Sequence, residues 1–177
     1  MSVPTLLVTG ASGHLGRAVV RHLLDTLNID PARVIATSRK PEALADLAAQ
    51  GVTVRAADFD RPDTLAEAFR GADRLLLVST DALLEPGKRL VQHRAAVQAA
   101  VEARVKHVVY TSLPSPDTSH VSFAPDHLGT EQALAASGLG WTFLRNAWYA
   151  ENLAYALPSA LASGEWVTAA GAGGVAY

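Results

Sequence analysis

The fold is decided by one stretch near the N-terminus, Thr9-Gly10-Ala11-Ser12-Gly13-His14-Leu15-Gly16. It follows a short apolar run, Thr5 to Val8, which has the length of a buried strand. It opens a segment in which leucine and valine recur every fourth residue, the spacing of one helix face: Leu15, Val19, Leu23 and Leu27. The glycines therefore lie on a strand-to-helix turn, where unpaired backbone N–H groups and the positive end of a helix dipole attract a phosphate.

Each glycine of this turn has a distinct expected role. Gly10 permits a tight turn off the strand, Gly13 lets the backbone approach a pyrophosphate, and Gly16 lets the helix pack on the sheet. The spacing is G-x-x-G-x-x-G instead of the usual G-x-G-x-x-G, and a turn that serves only strand–helix packing is the alternative. The order of strand, turn and helix favours phosphate binding. We predict that a cofactor containing a pyrophosphate is bound here by Gly10, Ser12, Gly13, His14, Leu15 and Gly16.

Composition restricts the class of protein. The chain has 177 residues, enough for one substantial core, with 49% hydrophobic and 18% charged residues, as in ordinary soluble globular proteins. A net charge of −2 without a basic run gives no indication of nucleic acid or a membrane as partner. The absence of cysteine excludes disulfides and thiolate chemistry, and we predict no metal site. No membrane span or signal peptide is visible, so the cytoplasm is the expected location.

Strand and helix patterns alternate along the chain. Further apolar runs predict strands at 34–37, 53–56, 75–78, 107–110 and 141–144. Helices are predicted from Pro41 to Ala48, from Pro62, from Lys88 to Ala103 with Leu90, Val97 and Val101 inward, and from Asp126 to Ala136. A last helix at 149–161 is expected to be interrupted at Pro158, and a last strand is expected at 165–168.

This alternation predicts an α/β fold, a doubly wound parallel sheet (Rossmann fold) forming one NAD(P)-binding domain over residues 1–177. The expected strand order is 3-2-1-4-5-6, and ligands of such sheets bind beyond the carboxyl ends of the strands. After the second strand, where NAD enzymes carry Asp or Glu, the chain has Arg39 and Lys40. These cations attract the 2′-phosphate that a carboxylate would repel, which predicts NADP(H) as cofactor. The alternative is a solvated pair of charges before a helix.

Two further strand ends leave alternatives open. Asp58 and Phe59 either contact adenine, or Asp58 caps the next helix while Phe59 belongs to the core. Ser79 and Thr80 either contact the ribose or phosphates of the cofactor or belong to a helix start. All four are predicted cofactor-binding residues.

Several motifs taken together resemble those of atypical short-chain dehydrogenases/reductases, and within them the NmrA-like family. The motifs are the glycine turn, Ser38-Arg39-Lys40-Pro41, Ala57-Asp58-Phe59, Gln92-His93-Arg94, Tyr110-Thr111-Ser112-Leu113 and the stretch from Leu144 to Asn152. The branch that the chain resembles most is that of bacterial NADPH-dependent quinone oxidoreductases. The resemblance covers the whole chain. It implies that the glycine turn and Arg39 bind NADPH, that strands four to six end around the nicotinamide, and that a quinone accepts the hydride.

Ordinary members of this superfamily use a Tyr-x-x-x-Lys motif, in which tyrosine donates a proton. The matching stretch here runs from His127 to Glu131 and contains neither residue. His127 is therefore a candidate proton donor, against the alternative of a helix-start histidine. Asn146 is predicted to contact the cofactor. The candidates for orienting the acceptor oxygen are Ser112, Asn146 and Tyr149.

Members of the family continue into a small C-terminal substrate lobe, which 177 residues leave largely absent. Exposed apolar surface at its docking site would favour self-association into homo-oligomers. The leading hypothesis is an NADPH-dependent oxidoreductase that acts on a small quinone-like molecule. The alternatives are a non-catalytic NADP(H)-binding redox sensor with a protein partner, as NmrA-like regulators are, and a fragment that only binds the cofactor.

Overall fold

Residues 3–166 of the computed structural model form a parallel six-stranded sheet flanked by helices. The strands run in the order β3-β2-β1-β4-β5-β6, and every neighbouring pair is parallel. This confirms the predicted doubly wound α/β fold and its strand order. The strand bounds are β1 (Leu6–Val8), β2 (Val34–Ser38), β3 (Thr53–Ala56), β4 (Arg74–Leu77), β5 (His107–Ser112) and β6 (Gly140–Arg145).

Helices connect the consecutive strands, as a parallel sheet requires, and a further helix follows β6. They are α1 (His14–Arg21), α2 (Ala45–Ala48), α3 (Leu65–Phe69), α4 (Lys88–Glu102), α5 (Ala124–Ala136) and α6 (Asn152–Ser163). A π-helical segment, His22–Thr26, continues α1. Short 3-10 segments, Pro31–Arg33, Pro41–Leu44 and Pro62–Thr64, each open on a proline, whose missing N–H is not needed in a first helical turn.

Apolar side chains fill both faces of the sheet, because successive strand residues point to opposite faces. One core lies beneath α3, α4 and α5 and includes Phe69, Leu75, Val108 and Tyr110. The other lies beneath α1 and α2 and includes Val8, Val20, Ala36 and Leu47. With both faces occupied, the carboxyl edge of the sheet is the place where polar loop residues meet.

The inner faces of two helices differ from the prediction. In α1 the buried stripe is Gly16, Val20 and Leu24, one position beyond the predicted stripe, and Leu27 is 54% exposed. The shift arises because Gly16, which has no side chain, brings α1 close to the preceding turn. In α4, Val97 is buried but Val101 is 37% exposed, since the inner face runs through His93, Ala96 and Ala100 instead.

Three element boundaries also differ. Helix α5 begins at Ala124, with Pro125 in its first turn instead of before it. Helix α6 continues through Pro158 to Ser163, because an exposed proline removes one backbone hydrogen bond without burying the freed carbonyl. The predicted last strand is not formed at Glu165 and Trp166, and its remaining residues, 167 and 168, lie outside the described part of the chain. Among the helices of residues 3–166, none has both the length and the apolar composition needed to cross a bilayer.

Helix α1 lies directly against the turn that precedes it. Gly10 has a φ of +61°, in the left-handed region that favours glycine. A Cβ placed on Gly16 would collide with the carbonyl oxygen of Gly10 and stand 2.7 Å from its carbonyl carbon. The positions predicted to need glycine for the turn and for helix packing therefore do need it.

We expect Gly16→Ala to lower the free energy of unfolding by about 1–3 kcal/mol, because the added methyl group forces α1 away from the turn. Urea denaturation followed by circular dichroism measures this loss. The matched control is Gly13→Ala on the same turn, where φ is −83° and the new Cβ would meet the Gly10 oxygen at 3.3 Å. A loss at Gly13 as large as that at Gly16 would contradict the steric explanation.

Candidate functional site

The carboxyl ends of β1 to β4 enclose a cavity of about 280 Å³. It lies at the switch point between β1 and β4, where ligands of doubly wound sheets bind. Eight of the predicted cofactor-binding residues line it: Gly10, Ser12, Gly13, Arg39, Asp58, Phe59, Ser79 and Thr80. The structure therefore brings together residues from four separate loops.

Other predicted cofactor-binding residues lie outside the cavity wall. His14 and Leu15 form the first turn of α1, and Gly16 is buried beneath the glycine turn. Lys40 is exposed, and its backbone N–H donates to the Ser38 hydroxyl at 3.0 Å. Of the two predicted phosphate-binding cations, only Arg39 lines the cavity.

The glycine turn is tied to the neighbouring strands by short hydrogen bonds. The Thr9 hydroxyl accepts the Val78 N–H at 2.9 Å, and the Thr9 N–H donates to the Leu76 carbonyl at 3.0 Å. The hydroxyl oxygens of Ser12 and Ser38 lie 2.8 Å apart. Gly13 is both the N-cap of α1 and part of the cavity wall. The N-terminus of α1, whose first N–H groups have no partner within the helix, is therefore held beside the cavity.

Arg39 and Asp81 are paired across the cavity mouth. The Arg39 guanidinium lies 3.6 Å from the Asp81 carboxylate, and their side chains are 64% and 84% exposed. A pair this exposed contributes little to stability, roughly 0–1 kcal/mol. Arg39 is thus free to exchange its carboxylate partner for another anion.

The structure bears on the alternative interpretations of Asp58 and Phe59. The Asp58 carboxylate accepts the Asp60 N–H at 3.0 Å within its own loop, whereas the following 3-10 segment has Arg61 at its N-cap with no side-chain capping bond. The helix-capping interpretation of Asp58 is therefore wrong. Phe59 packs against the core, as its second interpretation predicted, and it also lines the cavity. The adenine contact stays a prediction.

Ser79 and Thr80 lie in an irregular segment well before α4 begins at Lys88, so the helix-start interpretation is wrong. The Ser79 N–H donates to the Thr111 hydroxyl at 2.8 Å, and the Thr80 N–H donates to Nε2 of His93 at 3.0 Å. Both residues are thereby held at the cavity wall.

Sequence reasoning did not assign four polar residues of the cavity wall to the site, Ser38, Asp60, Asp81 and Gln92. The two aspartates follow strand ends by several residues and carry no motif of their own. Gln92 had a usable signal, because it lies with Arg89 and His93 on a helix face that becomes apolar further on, at Ala96 and Val97. Because buried polar groups need hydrogen-bond partners, polar residues on the inner face of a helix indicate contacts with other parts of the chain.

The predicted acceptor-side residues stand at the ends of β5 and β6. The buried Ser112 hydroxyl donates to the Glu131 carboxylate at 2.7 Å, and Arg145 donates to the same carboxylate at 3.0 and 2.7 Å. Burial acts to raise the pKa of Glu131, but the hydrogen bonds from Arg145 and Ser112 outweigh it and the pKa is lowered. Glu131 therefore stays ionised, and the Ser112 hydroxyl is engaged as one of its hydrogen-bond donors. Arg145 lies half-exposed at this edge of the sheet.

Asn146 and Tyr149 lie next to this cluster. The Asn146 N–H donates to the Ser112 carbonyl at 3.2 Å, which fixes Asn146 beside β5. Its side-chain amide donates to the Tyr149 hydroxyl at 3.0 Å, and the Tyr149 ring is 39% exposed. The predicted roles of Ser112, Asn146 and Tyr149 toward an acceptor stay predictions.

His127 belongs to a buried polar network. Its Nε2 lies 3.1 Å from the Arg89 guanidinium, and its Nδ1 lies 2.7 Å from the Tyr110 hydroxyl. Because a guanidinium has only donors, Nε2 of His127 must accept, and the ring proton is on Nδ1. His127 is 4% exposed and has both nitrogens engaged, so it offers no free N–H in this conformation. Its predicted role as proton donor stays untested.

The second buried histidine, His93, also has hydrogen-bond partners at both ring nitrogens. His93 is fully buried, and its Nε2 accepts the backbone N–H of Thr80. Its Nδ1 lies 3.0 Å from the Thr130 hydroxyl. Burial, reinforced by the Arg89 charge, lowers the pKa of His93 to about 3 and that of His127 to about 4. Both rings are therefore neutral at pH 7.

A comparison with protein-family models matches residues 3–168 to the NmrA-like family. This chain belongs to the NmrA-like family. The assignment confirms the resemblance that the glycine turn and the strand-end motifs predicted.

In the part of the chain that the structure describes, no group of three or more His, Asp or Glu side chains is arranged to hold a metal ion.

Several named proteins are similar to this chain in sequence and structure. Quinone oxidoreductase 2 of Escherichia coli (strain K12) is 42% identical over 171 residues, which cover 97% of this chain and 58% of that protein. The crystal structure of the E. coli NADPH-dependent quinone oxidoreductase complexed with NADPH has a TM-score of 0.85 at 42% identity, covering 94% of this chain and 57% of that one. The Citrobacter sp. triphenylmethane reductase complexed with NADP(H) has a TM-score of 0.87 at 38% identity, covering 94% and 58%. The chain thus spans less than two thirds of these relatives.

The neutral histidines predict that the protein loses stability in mild acid. His93 and His127 bind protons near pH 6.5 when unfolded but only near pH 3 to 4 when folded. Their stabilising contribution is therefore complete above about pH 6.5 and is lost as the pH falls toward 4, by about 1.4 kcal/mol per pH unit for each histidine. Urea denaturation between pH 7 and pH 5 measures this slope.

The variant His127→Gln, which removes one of the two buried rings, should make the slope shallower. NMR provides a direct check, because the ring resonances of His93 and His127 should keep the neutral form down to about pH 5. Titration of either ring near pH 6.5 would contradict the lowered pKa values of these two histidines.

Proposed function

We propose that this chain is the cofactor-binding part of an NADPH-dependent oxidoreductase that passes a hydride to a quinone-like acceptor. The observation that carries the proposal is the cavity in which the N-cap of α1 and Arg39 stand at the β1–β4 switch point. The N-terminus of α1 suits a pyrophosphate, and the Arg39 guanidinium suits a 2′-phosphate. The family membership supports the same assignment, since two of the solved relatives are complexed with NADPH or NADP(H).

The cavity fits the adenosine half of the cofactor. Phe59 offers an aromatic face and Asp58 a carboxylate for the exocyclic amine of adenine. Ser79 and Thr80 would border the ribose and phosphates, and the absence of a Cβ at Gly10 and Gly13 leaves room for a close backbone approach. The other half would extend toward the ends of β5 and β6.

The acceptor-side residues suit a reaction in which an oxygen becomes negatively charged. NADPH, when bound, supplies the hydride. The half-exposed Arg145 guanidinium, held in place by the buried Glu131 carboxylate, would offer N–H donors to such an oxygen. The Asn146 amide and the Tyr149 hydroxyl would orient the acceptor by hydrogen bonds. The relatives are named for quinones and triphenylmethane dyes, which are both conjugated electron acceptors.

The first test measures binding and turnover together. NADPH is titrated into the chain, and its oxidation is then followed by absorbance with and without a soluble benzoquinone. We expect micromolar binding and quinone-dependent oxidation. Binding without turnover would favour the redox-sensor hypothesis or a cofactor-binding part that needs further residues. No binding of NADPH would refute the proposal.

We expect Arg39→Ala to weaken NADPH binding by about tenfold or more and to leave NADH binding nearly unchanged, because only NADPH carries the 2′-phosphate. Isothermal titration calorimetry with both nucleotides measures the two affinities. The matched control is Lys40→Ala, which removes a neighbouring cation outside the cavity wall and should have the smaller effect. Equal losses for NADPH and NADH in the Arg39 variant would exclude the phosphate contact.

A further inference from the structure

Two consecutive residues of α4, Gln92 and His93, hold the loop that follows β4. The Thr80 backbone N–H donates to Nε2 of His93 at 3.0 Å, and the Thr80 hydroxyl donates to Oε1 of Gln92 at 2.6 Å. Gln92 is 8% exposed and His93 is fully buried, so both contacts are shielded from water. Thr80 is thus fixed through its backbone and its side chain at once.

Gln92 also reaches the loop that follows β3. Its amide nitrogen donates to the Asp60 carboxylate at 2.8 Å, and the Lys88 ammonium lies 3.7 Å from the same carboxylate. The orientation of the Gln92 amide is determined by its partners, because a carboxylate can only accept and the Thr80 hydroxyl then donates to the amide oxygen. A single buried side chain therefore joins the two loops on either side of the cavity.

We propose that Gln92 and His93 are positioning residues that assemble the nucleotide cavity before the nucleotide arrives. The inference rests on the proposed NADPH site and adds the device that shapes it. Asp60, Thr80 and Gln92 all line the cavity, so a change in their hydrogen bonds moves its wall. Because the two loops are already held in place, nucleotide binding does not have to order them, and the binding free energy is not reduced by that entropy loss.

The first test replaces the hydrogen-bond donor of Gln92 by an acceptor and keeps the shape of the side chain. Gln92→Glu places a carboxylate against the Asp60 carboxylate, which Lys88 offsets only in part, and should weaken NADPH binding roughly tenfold. The double variant Gln92→Glu with Asp60→Asn restores one donor and one acceptor. It should bind NADPH within about threefold of the unmodified chain.

The matched control is Gln98→Glu on the same helix. Gln98 is exposed and donates to Glu102 at 3.0 Å, so this substitution also sets two carboxylates against each other, but far from the cavity. It should leave the affinity for NADPH unchanged. Wild-type affinity in Gln92→Glu, or no recovery in the double variant, would overturn the inference.

A second readout needs no nucleotide. The Thr80 amide should exchange slowly with deuterium in the free protein because His93 holds its hydrogen. His93→Leu should speed this exchange at least tenfold relative to amides of β5, whereas His93→Gln, which keeps an acceptor oxygen, should retain much of the protection. Equal exchange in both variants would refute the positioning role. Since exchange is measured without NADPH, it separates failure of this inference from failure of the proposed function.

Discussion

The site depends on one steric constraint, the near-contact between the Gly10 carbonyl and the backbone of α1 at Gly16. This approach brings the helix start directly under the end of β1. It also aligns Gly13, the N-cap, with the cavity. A helix displaced outward by one methyl group would carry its unpaired N–H groups away from the other loops. Under the proposed function, anion binding here would therefore depend on packing as much as on polar chemistry.

The hydrogen-bonded polar network beneath β5 imposes a second constraint. Its members are donors and acceptors of fixed type, since a guanidinium and a backbone N–H can only donate. This assigns neutral rings to His93 and His127 without reference to pH. At the end of β5, the Ser112 hydroxyl is likewise engaged, by the Glu131 carboxylate. Groups that look reactive in the sequence are thus engaged in holding loops and strands together.

The fold was largely predictable because it rests on local patterns, such as the apolar strand 75–78 and the glycine turn, that recur in a strict order. The cavity wall was predictable where a residue directly follows a strand, as Arg39 and Ser79 do. Gln92 was not identified, since its role depends on contacts between a helix and two distant loops. The stripe of α1 was misplaced by one residue because burial there is set by Gly16, which hydrophobic periodicity does not count.

The pairing of Arg39 with Asp81 has a consequence for nucleotide selection under the proposed function. If Arg39 binds the phosphate, the Asp81 carboxylate on a neighbouring loop would compete with that phosphate for the same guanidinium. A nucleotide without the extra phosphate has nothing to offer in exchange and leaves this pair in place. The discrimination between the two nicotinamide dinucleotides would then reflect the difference between two anions at one guanidinium, and it would weaken as added salt screens both.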